Sequence, residues 1–248
     1  MEVSIITVCF NSGSTIKKTI LSLLSQTYSN IEFIIIDGNS EDNTLEIIKS
    51  YEDFISILIS EPDKGLYDAM NKGISVATGD LIGILNSNDI FHSDTVIEEI
   101  VNFHKINDID ASVGNITQHK ETGKIIRFYS SKNWHPKKLK IGFMPPHPSV
   151  FFKRDLFDKF GYYDLGFKIG ADYELIIRFF LKIKINWKYS NITTTSMLVG
   201  GISSSGTSSY SLITEEIYKA LSINEISFSS FQIKMRFIWK ITEFLKLK

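Results

Sequence analysis

The chain has 248 residues, of which 43% are hydrophobic and 22% are charged. These fractions are ordinary for a folded domain and exclude a disordered or fibrous chain. Lysine and arginine total 27 against 28 acidic residues, so the net charge of −1 gives no reason to expect nucleic acid as a partner. No run reaches the roughly 18 uninterrupted apolar residues of a membrane-spanning helix, and Met1 leads into an apolar run without a basic leader. We therefore expect a cytoplasmic protein.

The single cysteine, Cys9, lies within an apolar run. It cannot form an internal disulfide, which is typical of a reducing compartment. It could be a catalytic nucleophile, but its surroundings favour a small buried hydrophobic residue. The histidines are not paired at the spacing of zinc ligands, so we predict no structural zinc.

The first half of the chain alternates between short apolar runs and segments with helical spacing. Four runs predict buried strands, over residues 3–10, 31–36, 55–59 and 81–85. Apolar residues at helical spacing follow each run and predict intervening helices. This order predicts an α/β fold with a mostly parallel, Rossmann-like central sheet and helices on both faces. Ligands bind such sheets beyond the carboxyl ends of the strands.

The second half is less regular. The patterns predict a hairpin around Thr122-Gly123, a loop over residues 132–148, helices over 155–160 and 171–181, one or two strands over 187–199, and a final helix over 228–247. The chain contains no repeat and no clear linker. We therefore predict one domain over residues 1–225, with halves divided at residue 110, and a C-terminal helix within residues 226–248.

The polar group Asn86-Ser87-Asn88-Asp89 follows the fourth predicted strand. Magnesium and manganese ions are commonly held by one or two carboxylates, with substrate phosphates completing the shell. Asparagine, serine and aspartate are also common turn formers. On residue types alone, a turn is the simpler interpretation of this group.

Asp172 lies near the start of a predicted helix, in Gly170-Ala171-Asp172-Tyr173-Glu174. An aspartate at this position can cap the helix, or it can act as a general base. Taken alone, the pattern favours the cap. His147, between Pro146 and Pro148, is either a functional group or a plain loop residue.

The segment from Glu61 to Gly73 is dense in polar groups at a junction between a loop and a helix. The free N–H groups of a helix N-terminus can hold phosphate, and Lys64 would add a positive charge. The same segment is also compatible with a solvated turn followed by an amphipathic helix. Its glycines do not form the G-x-G-x-x-G turn of classical nucleotide-binding folds.

Four separated motifs together resemble family 2 glycosyltransferases of the glycosyltransferase A fold, of the bacterial surface-polysaccharide type. They are Ser4 to Asn11, Asp37 to Thr44, Asp63 to Gly73, and Ala77-Thr78-Gly79-Asp80 followed by Asn86 to Asp89. The motifs occur in the order that the family has, and the resemblance covers roughly residues 3 to 205. It implies an inverting transferase that moves a sugar from a nucleotide-diphosphate sugar, with UDP as the expected nucleotide.

The resemblance also implies roles for particular residues. Asp89 would bind Mn²⁺ or Mg²⁺, and Asp172 would be the catalytic base. The residues expected at the donor are Thr7, Phe10, Asn11, Asp37, Lys64, Asp68 and Asn88. His147 and Tyr173 are expected at the acceptor. The segment Gly200-Gly201-Ile202-Ser203 resembles a loop that closes over the donor.

Two positions depart from the family pattern. Asn88 stands where the metal motif usually carries an acid, which predicts weaker metal binding. Gly38 stands where many members have a second acid that helps to read the base, so this sequence gives less support for uridine.

The C-terminal segment from Phe231 to Lys248 combines an apolar stripe with basic residues. The stripe is Phe231, Met235, Ile238, Ile241 and Leu245, and the basic residues are Lys234, Arg236, Lys240, Lys246 and Lys248. Such a helix can lie in a membrane interface, or it can pack on the domain. A contact with the inner face of the plasma membrane suits the acceptor that the resemblance implies, a saccharide linked to undecaprenyl diphosphate in O-antigen, capsule or exopolysaccharide synthesis.

Two other functions fit parts of the pattern. A non-catalytic sugar-nucleotide-binding protein would explain the altered metal motif, but it would not need both Asp89 and Asp172. A sugar nucleotidyltransferase should have a phosphate loop rich in glycine and arginine near the N-terminus. Residues 10–15 contain a single glycine, Gly13, and no arginine.

Overall fold

The structure is a computed structural model that describes residues 1–199 and 207–236, with side chains in the second range from residue 211 onward. The chain forms two compact units. The first consists of Met1–Lys132, Pro145–Tyr163 and Asn186–Val199, and the second of Asn133–Met144, Asp164–Ile185 and the described part of 200–248. Neither unit ends at residue 110, where we expected the two halves to divide, because the later strands return to the first unit.

The described residues of the first unit contain one sheet of nine strands. The strands are β1 (Val3–Cys9), β2 (Ile31–Asp37), β3 (Ile57–Ser60), β4 (Leu81–Ile84), β5 (Asp89–Phe91), β6 (Ala111–His119), β7 (Ile125–Tyr129), β8 (Val150–Lys153) and β9 (Trp187–Leu198). Their order is β3-β2-β1-β4-β8-β6-β9-β5, with β7 beside β6. The four predicted strands of the first half are confirmed to within two residues.

The pairing is parallel from β3 to β4 and mixed beyond it. The short strand β8 pairs antiparallel with both β4 and β6, whereas β9 pairs parallel with β6 and antiparallel with β5. The expected hairpin is confirmed as the antiparallel pair of β6 and β7. The α/β fold is therefore as predicted, but parallel pairing is continuous only over the first four strands of the order and recurs between β6 and β9.

Helices cover both faces of the parallel strands. The first unit contains α1 (Ile16–Leu24), α2 (Thr44–Lys49), α3 (Leu66–Val76), α4 (Val96–Asn107) and α5 (Asp155–Phe160). Side chains alternate along a strand, so Ile5 joins α1 and α4 in one buried cluster while Ile6 faces α3. At Gly73 of α3, a β-carbon would lie only 2.5 Å from Ile6 Cγ2, so glycine permits this close approach.

The second unit is helical in its described residues. It contains a 3₁₀ helix (Pro136–Ile141), α6 (Ala171–Ile177), which continues as a π-helix (Arg178–Ile183), and α7 (Thr207–Ile223). Glu174 of α6 is buried and joins two neighbours: Arg178 at 2.8 Å and the side-chain amide of Asn224 at 3.0 Å. These polar contacts fix α6 beside the C-terminal end of α7.

The described part of the C-terminal segment differs from the amphipathic pattern that we expected. Residues 230–236 are helical. Arg236 is 2% exposed and donates to Thr214 Oγ1 at 3.3 Å, so it does not belong to a basic outer face. Ile233 is fully buried, whereas Phe231 is 72% exposed. The remainder of the predicted helix, residues 237–248, lies outside the described residues. No helix within the described ranges is long and apolar enough to cross a bilayer.

Candidate active site

The loops that follow β1, β2 and β3 are joined by hydrogen bonds at the carboxyl edge of the sheet. The backbone N–H of Asn11, after β1, donates to Ser40 Oγ at 2.8 Å, and Asn11 Oδ1 accepts from Glu41 N at 2.9 Å. Asn11 adopts a φ of 48°, in the left-handed region that asparagine tolerates better than most residues. Asn11, predicted at the donor, therefore also fixes the loop after β1 against the loop after β2.

Asp37, the last residue of β2, is fully buried. Its Oδ2 accepts hydrogen bonds from Ser40 N at 3.1 Å and Ser60 Oγ at 2.8 Å, and its Oδ1 accepts one from Ser40 Oγ. Cys9 Sγ lies 3.6 Å from the same Oδ1. The predicted donor contact thus falls on a carboxylate that already joins the carboxyl ends of β1, β2 and β3.

The thiol of Cys9 is buried beside this carboxylate. Burial and the charge of Asp37 raise the pKa of Cys9 far above its usual value. The thiol therefore stays protonated, and the buried interpretation fits better than a nucleophile.

Gly38 makes room for the carboxylate of Asp63. A β-carbon at Gly38 would lie 2.5 Å from Asp63 Oδ2 and 3.5 Å from the ring of Phe10. The ring of Phe10 is 61% exposed. An acid from the loop after β3 therefore occupies the space beside Gly38, next to an exposed aromatic ring that is suited to stacking on a base.

The start of α3 is organised by local hydrogen bonds. Gly65 has a φ of 115°, which favours glycine, and its N–H donates to Asp63 Oδ1 at 2.7 Å. Asp68 Oδ2 accepts from Lys64 N at 3.0 Å and lies 3.9 Å from Lys72 Nζ. Asp68 thus contacts residues on either side of it in the sequence, Lys64 through its backbone and Lys72 through its side chain, whereas the side chain of Lys64 is exposed.

Asp89 is the first residue of β5 and is 1% exposed. Its Oδ2 lies 3.4 Å from the side-chain amide of Asn86, and its Oδ1 has no hydrogen-bond partner in the described structure. Burial raises the pKa of Asp89 to about 7. A buried carboxylate oxygen without a donor is costly, and a bound cation would offset that cost.

The turn before Asp89 carries the other polar groups of this motif. Asn88 is half-buried in that turn, and Asn86 Oδ1 is buried without a partner in the described structure. Ser87 Oγ lies 2.9 Å from Ser12 Oγ, which joins this turn to the loop after β1. Thr7, in the middle of β1, is fully buried, and its hydroxyl has no partner in the described structure.

The residues around Asp89 fit a magnesium or manganese ion better than zinc. The described residues contain no group of three or more histidine, cysteine, aspartate or glutamate side chains that could hold an ion. One carboxylate oxygen and nearby amide oxygens are hard ligands, and these two cations take several ligands from water and substrate phosphates.

His147 is 9% exposed, and its Nε2 lies 2.6 Å from the hydroxyl of Tyr163. The side-chain amide of Asn71, in α3, makes two hydrogen bonds with the backbone of Tyr163. Its Nδ2 donates to Tyr163 O at 2.9 Å, and its Oδ1 accepts from Tyr163 N at 2.9 Å. The ring of Tyr67 stacks on Tyr163 at 5.6 Å. His147 therefore takes part in a buried network that ties α3 to residue 163, whereas we had expected it at the acceptor.

The second unit holds Asp172 and Tyr173. Asp172 is half-buried in the first turn of α6, and its Oδ1 accepts from Tyr173 N at 2.8 Å. Tyr173 is 4% exposed, and its hydroxyl donates to the carbonyl of Leu139. Tyr173 is thus buried within this unit, and its expected contact with the acceptor stays a prediction.

Glu216 of α7 organises the backbone before Asp172. Its carboxylate accepts hydrogen bonds from Lys168 N at 2.7 Å, Ile169 N at 3.0 Å and Gly170 N at 2.7 Å. Glu216 was absent from the predicted site because its partners are backbone groups about 45 residues away, which leave no motif in the sequence.

The Glycosyl transferase family 2 model matches residues 4–160, which include every donor-side residue that we predicted. The chain belongs to glycosyl transferase family 2. The uncharacterized glycosyltransferase MT1564 of Mycobacterium tuberculosis is 35% identical over 178 residues, which is 71% of this chain and 68% of that protein. The PGL/p-HBAD biosynthesis glycosyltransferase of Mycobacterium bovis is 26% identical over 78% of this chain and 75% of its own length.

Solved structures of glycosyltransferases share the fold of this family 2 chain. TarS of Staphylococcus aureus, residues 1–349 in complex with UDP-GlcNAc, superposes with a TM-score of 0.69 at 16% identity. The match covers 89% of this chain and 66% of that one. The mannosyltransferase PcManGT of Pyrobaculum calidifontis, in complex with GDP-Man and Mn²⁺, superposes with a TM-score of 0.62 at 14% identity. That match covers 89% of this chain and 63% of the mannosyltransferase. The expected glycosyltransferase A fold is confirmed.

The sequence pattern missed two residues of the donor-side edge. Asp63 and Asn86 lie in the loops after β3 and β4, and the sequence analysis assigned neither of them a role. The sequence marked Gly38 as a departure from the family pattern, but it gave no sign that the carboxylate of Asp63 lies beside that position.

Proposed function

We propose that this family 2 chain is an inverting glycosyltransferase that transfers a sugar from a nucleotide-diphosphate sugar, with UDP as the expected nucleotide. The observation that carries the proposal is Asp89, a buried carboxylate with an unpartnered oxygen at the carboxyl edge of the sheet. TarS, which shares the fold, is in complex with UDP-GlcNAc, and this supports a UDP-sugar as donor.

The donor-side residues have distinct tasks in this proposal. Phe10 stacks on the nucleobase with its exposed ring, and Asp63 supplies the acid beside Gly38 that reads the base. Asp37 and Asn11 hold the loops that shape this pocket, while Lys64 contributes a positive charge near the phosphates. Thr7 has a buried hydroxyl without a partner in the described structure, and Asn88 lies half-buried in the turn before Asp89.

Asp89, with Asn86 and Asn88 nearby, would hold Mn²⁺ or Mg²⁺. When bound, the ion neutralises negative charge that develops on the departing diphosphate. The carboxylate of Asp89 is suited to this task because it is fixed at the start of β5, between β9 and the turn at Asn86. The Mn²⁺ in the PcManGT complex supports this choice of ion.

Asp172 is the general base in this proposal. It accepts the proton of the acceptor hydroxyl while that oxygen forms a bond to the anomeric carbon. The bond from that carbon to the diphosphate breaks in the same step, and the nucleoside diphosphate leaves. A single displacement of this kind inverts the anomeric configuration.

We propose a lipid-linked saccharide as acceptor, carried on undecaprenyl diphosphate at the inner face of the plasma membrane. The pathways that suit it are O-antigen, capsule or exopolysaccharide synthesis. The exposed Phe231 and the lysines of the C-terminal segment support contact with a membrane, although Arg236 no longer belongs to that set. Deleting residues 237–248 leaves the buried Ile233 and Arg236 in place, and it should lower the share of the protein in membrane fractions by removing the contact of this segment.

The experiment is a thermal-shift panel of nucleoside diphosphates with and without Mn²⁺, followed by a turnover assay with the nucleotide that binds. A ligand of the folded state raises the melting temperature by mass action. Asp172→Asn should keep the nucleotide-dependent shift and lose turnover by about a thousandfold or more. Substantial turnover in this variant would remove Asp172 from the role of base. A nucleotide shift without turnover in the unmodified chain would instead identify a non-catalytic binding protein.

A further inference from the structure

The β6–β7 hairpin exposes an unusual number of large apolar side chains. Ile125, Ile126 and Phe128 of β7 are 56%, 43% and 54% exposed. Among the described residues, β7 pairs with β6 alone, so it forms an edge of the sheet. Exposed edge strands with apolar side chains invite association, and proteins usually protect them.

Positive charge surrounds these apolar side chains. Residues 118–132 contain Lys120, Lys124, Arg127 and Lys132 against one acid, Glu121. The three lysines are exposed. This local excess differs from the whole chain, whose charges are balanced at −1. We call Lys120, Lys124, Ile125, Ile126 and Phe128 the hairpin surface.

The geometry of the hairpin separates charge from apolar area. Lys120 N donates to Lys124 O at 3.0 Å, so the two lysines face each other at the tip, and Gly123 turns the chain there with a φ of 79°. The register of β6 and β7 shifts between the pairs Gln118–Arg127 and His119–Ile125, so Ile126 lies at a bulge, where it is exposed as Phe128 is. The lysines at the tip of the hairpin are thus followed along β7 by the exposed side chains of Ile126 and Phe128.

We propose that the hairpin surface docks on a membrane that contains anionic lipid. Lysines near a negatively charged bilayer are attracted to its headgroups, and apolar side chains beside them gain by burial at the acyl boundary. Interfacial contacts of this kind need both contributions, and the hairpin surface carries both within nine residues. The docking does not depend on the transferase activity, although a lipid-linked acceptor would make it useful.

A second copy of this chain fits the same edge less well. An antiparallel pairing of β7 with its own copy, centred on Arg127, would place that arginine opposite its counterpart. Like charges directly opposite each other destabilise a strand pair. The charge of the hairpin surface therefore favours an anionic bilayer over self-association.

The test is co-sedimentation of the full chain with vesicles of phosphatidylcholine alone or mixed with phosphatidylglycerol. We expect binding to the anionic vesicles that weakens with added salt. Ile126→Ser with Phe128→Ser, and separately Lys120→Glu with Lys124→Glu, should each reduce that binding by about tenfold or more. Matched controls are Phe54→Ser, at an equally exposed ring, and Lys105→Glu, at an exposed lysine of α4; both should bind as the unmodified chain does.

Three results would overturn the proposal. They are unchanged binding in both hairpin variants, equal binding to neutral and anionic vesicles, and no binding at all by a folded chain. A chain that ends at residue 236 separates this contact from that of the C-terminal segment, because the proposal requires it to keep binding that depends on the hairpin. Melting curves of each variant identify loss of fold, which we do not expect because the substituted side chains are exposed. No donor or acceptor enters the assay, so failure of the transferase proposal would leave its result unaffected.

Discussion

The carboxylate of Glu216 holds the backbone of Gly170, with Oε2 2.7 Å from Gly170 N. The same carboxylate accepts from the two preceding N–H groups, so one buried side chain of α7 satisfies three backbone donors in front of α6. A β-carbon at Gly170 would lie 3.0 Å from Oε2, so any larger residue there would press on this carboxylate. Asp172 follows two residues later, and Glu216 thereby fixes the backbone that carries the proposed base.

Replacing Glu216 by alanine should destabilise the protein and slow the reaction. Three buried N–H groups lose an ionised acceptor, and we expect the free energy of unfolding to fall by about 3 kcal/mol in urea denaturation. Turnover should fall by about tenfold or more while the nucleotide-dependent thermal shift is retained, because the donor-side residues lie in the other unit.

Two further variants sharpen this prediction. Glu215→Ala removes the neighbouring carboxylate, which is exposed, and should change neither stability nor turnover. Glu216→Gln keeps the size of the side chain and one acceptor oxygen, so it should recover part of the turnover. If Glu216→Ala loses stability but turns over at the normal rate, Glu216 has no part in positioning Asp172.

Replacing Gly38 by alanine should weaken nucleotide binding. The added β-carbon would lie 2.5 Å from Asp63 Oδ2, so the carboxylate must shift from its position in the proposed base pocket. We expect the nucleotide affinity to fall by about tenfold, equal to about 1.4 kcal/mol. Titration calorimetry with the nucleotide from the thermal-shift panel measures this change. Glu41→Ala, at an exposed side chain of the same loop, is the control, and an unchanged affinity for Gly38→Ala would remove Asp63 from base recognition.

The sequence predicted the parallel strands and their polar ends well, because buried runs and the residues that follow them are local signals. It could not predict β8 or the parallel pairing of β6 with β9, since those depend on partners far along the chain. The same limit applies to the site. Asp89 stands in a local motif, whereas the burial of Tyr173 could not be predicted because the sequence does not tell which residue of a helix turn faces the core.

His104 should make the protein less stable in acid. The side chain is 2% exposed in α4, and its Nε2 lies 3.0 Å from Ser112 Oγ. Burial lowers the pKa of His104 to about 4 and the charge of Lys153 adds to this effect, whereas a hydrogen bond with the backbone of Ile109 and the charge of Asp110 oppose it. The unfolded chain binds this proton near pH 6.5, so the free energy of unfolding should fall as pH decreases from 6.5 to 4. The loss should reach about 3 kcal/mol. His104→Gln should remove this part of the pH dependence in urea denaturation, whereas His135→Gln, at an exposed ring, should retain it.

Replacing Asp89 by asparagine should separate stability from function. In the absence of metal, the buried oxygen without a partner costs free energy that a neutral amide of the same shape would reduce. We expect Asp89→Asn to raise the free energy of unfolding by about 2 kcal/mol in metal-free buffer. The same variant should lose the Mn²⁺-dependent part of the nucleotide thermal shift, because an amide is a poor substitute for a carboxylate toward a hard cation. Asp94→Asn, at an exposed carboxylate after β5, is the matched control and should change neither measurement. If Asp89→Asn keeps a full Mn²⁺-dependent shift, the ion binds elsewhere and the proposed role of Asp89 is wrong.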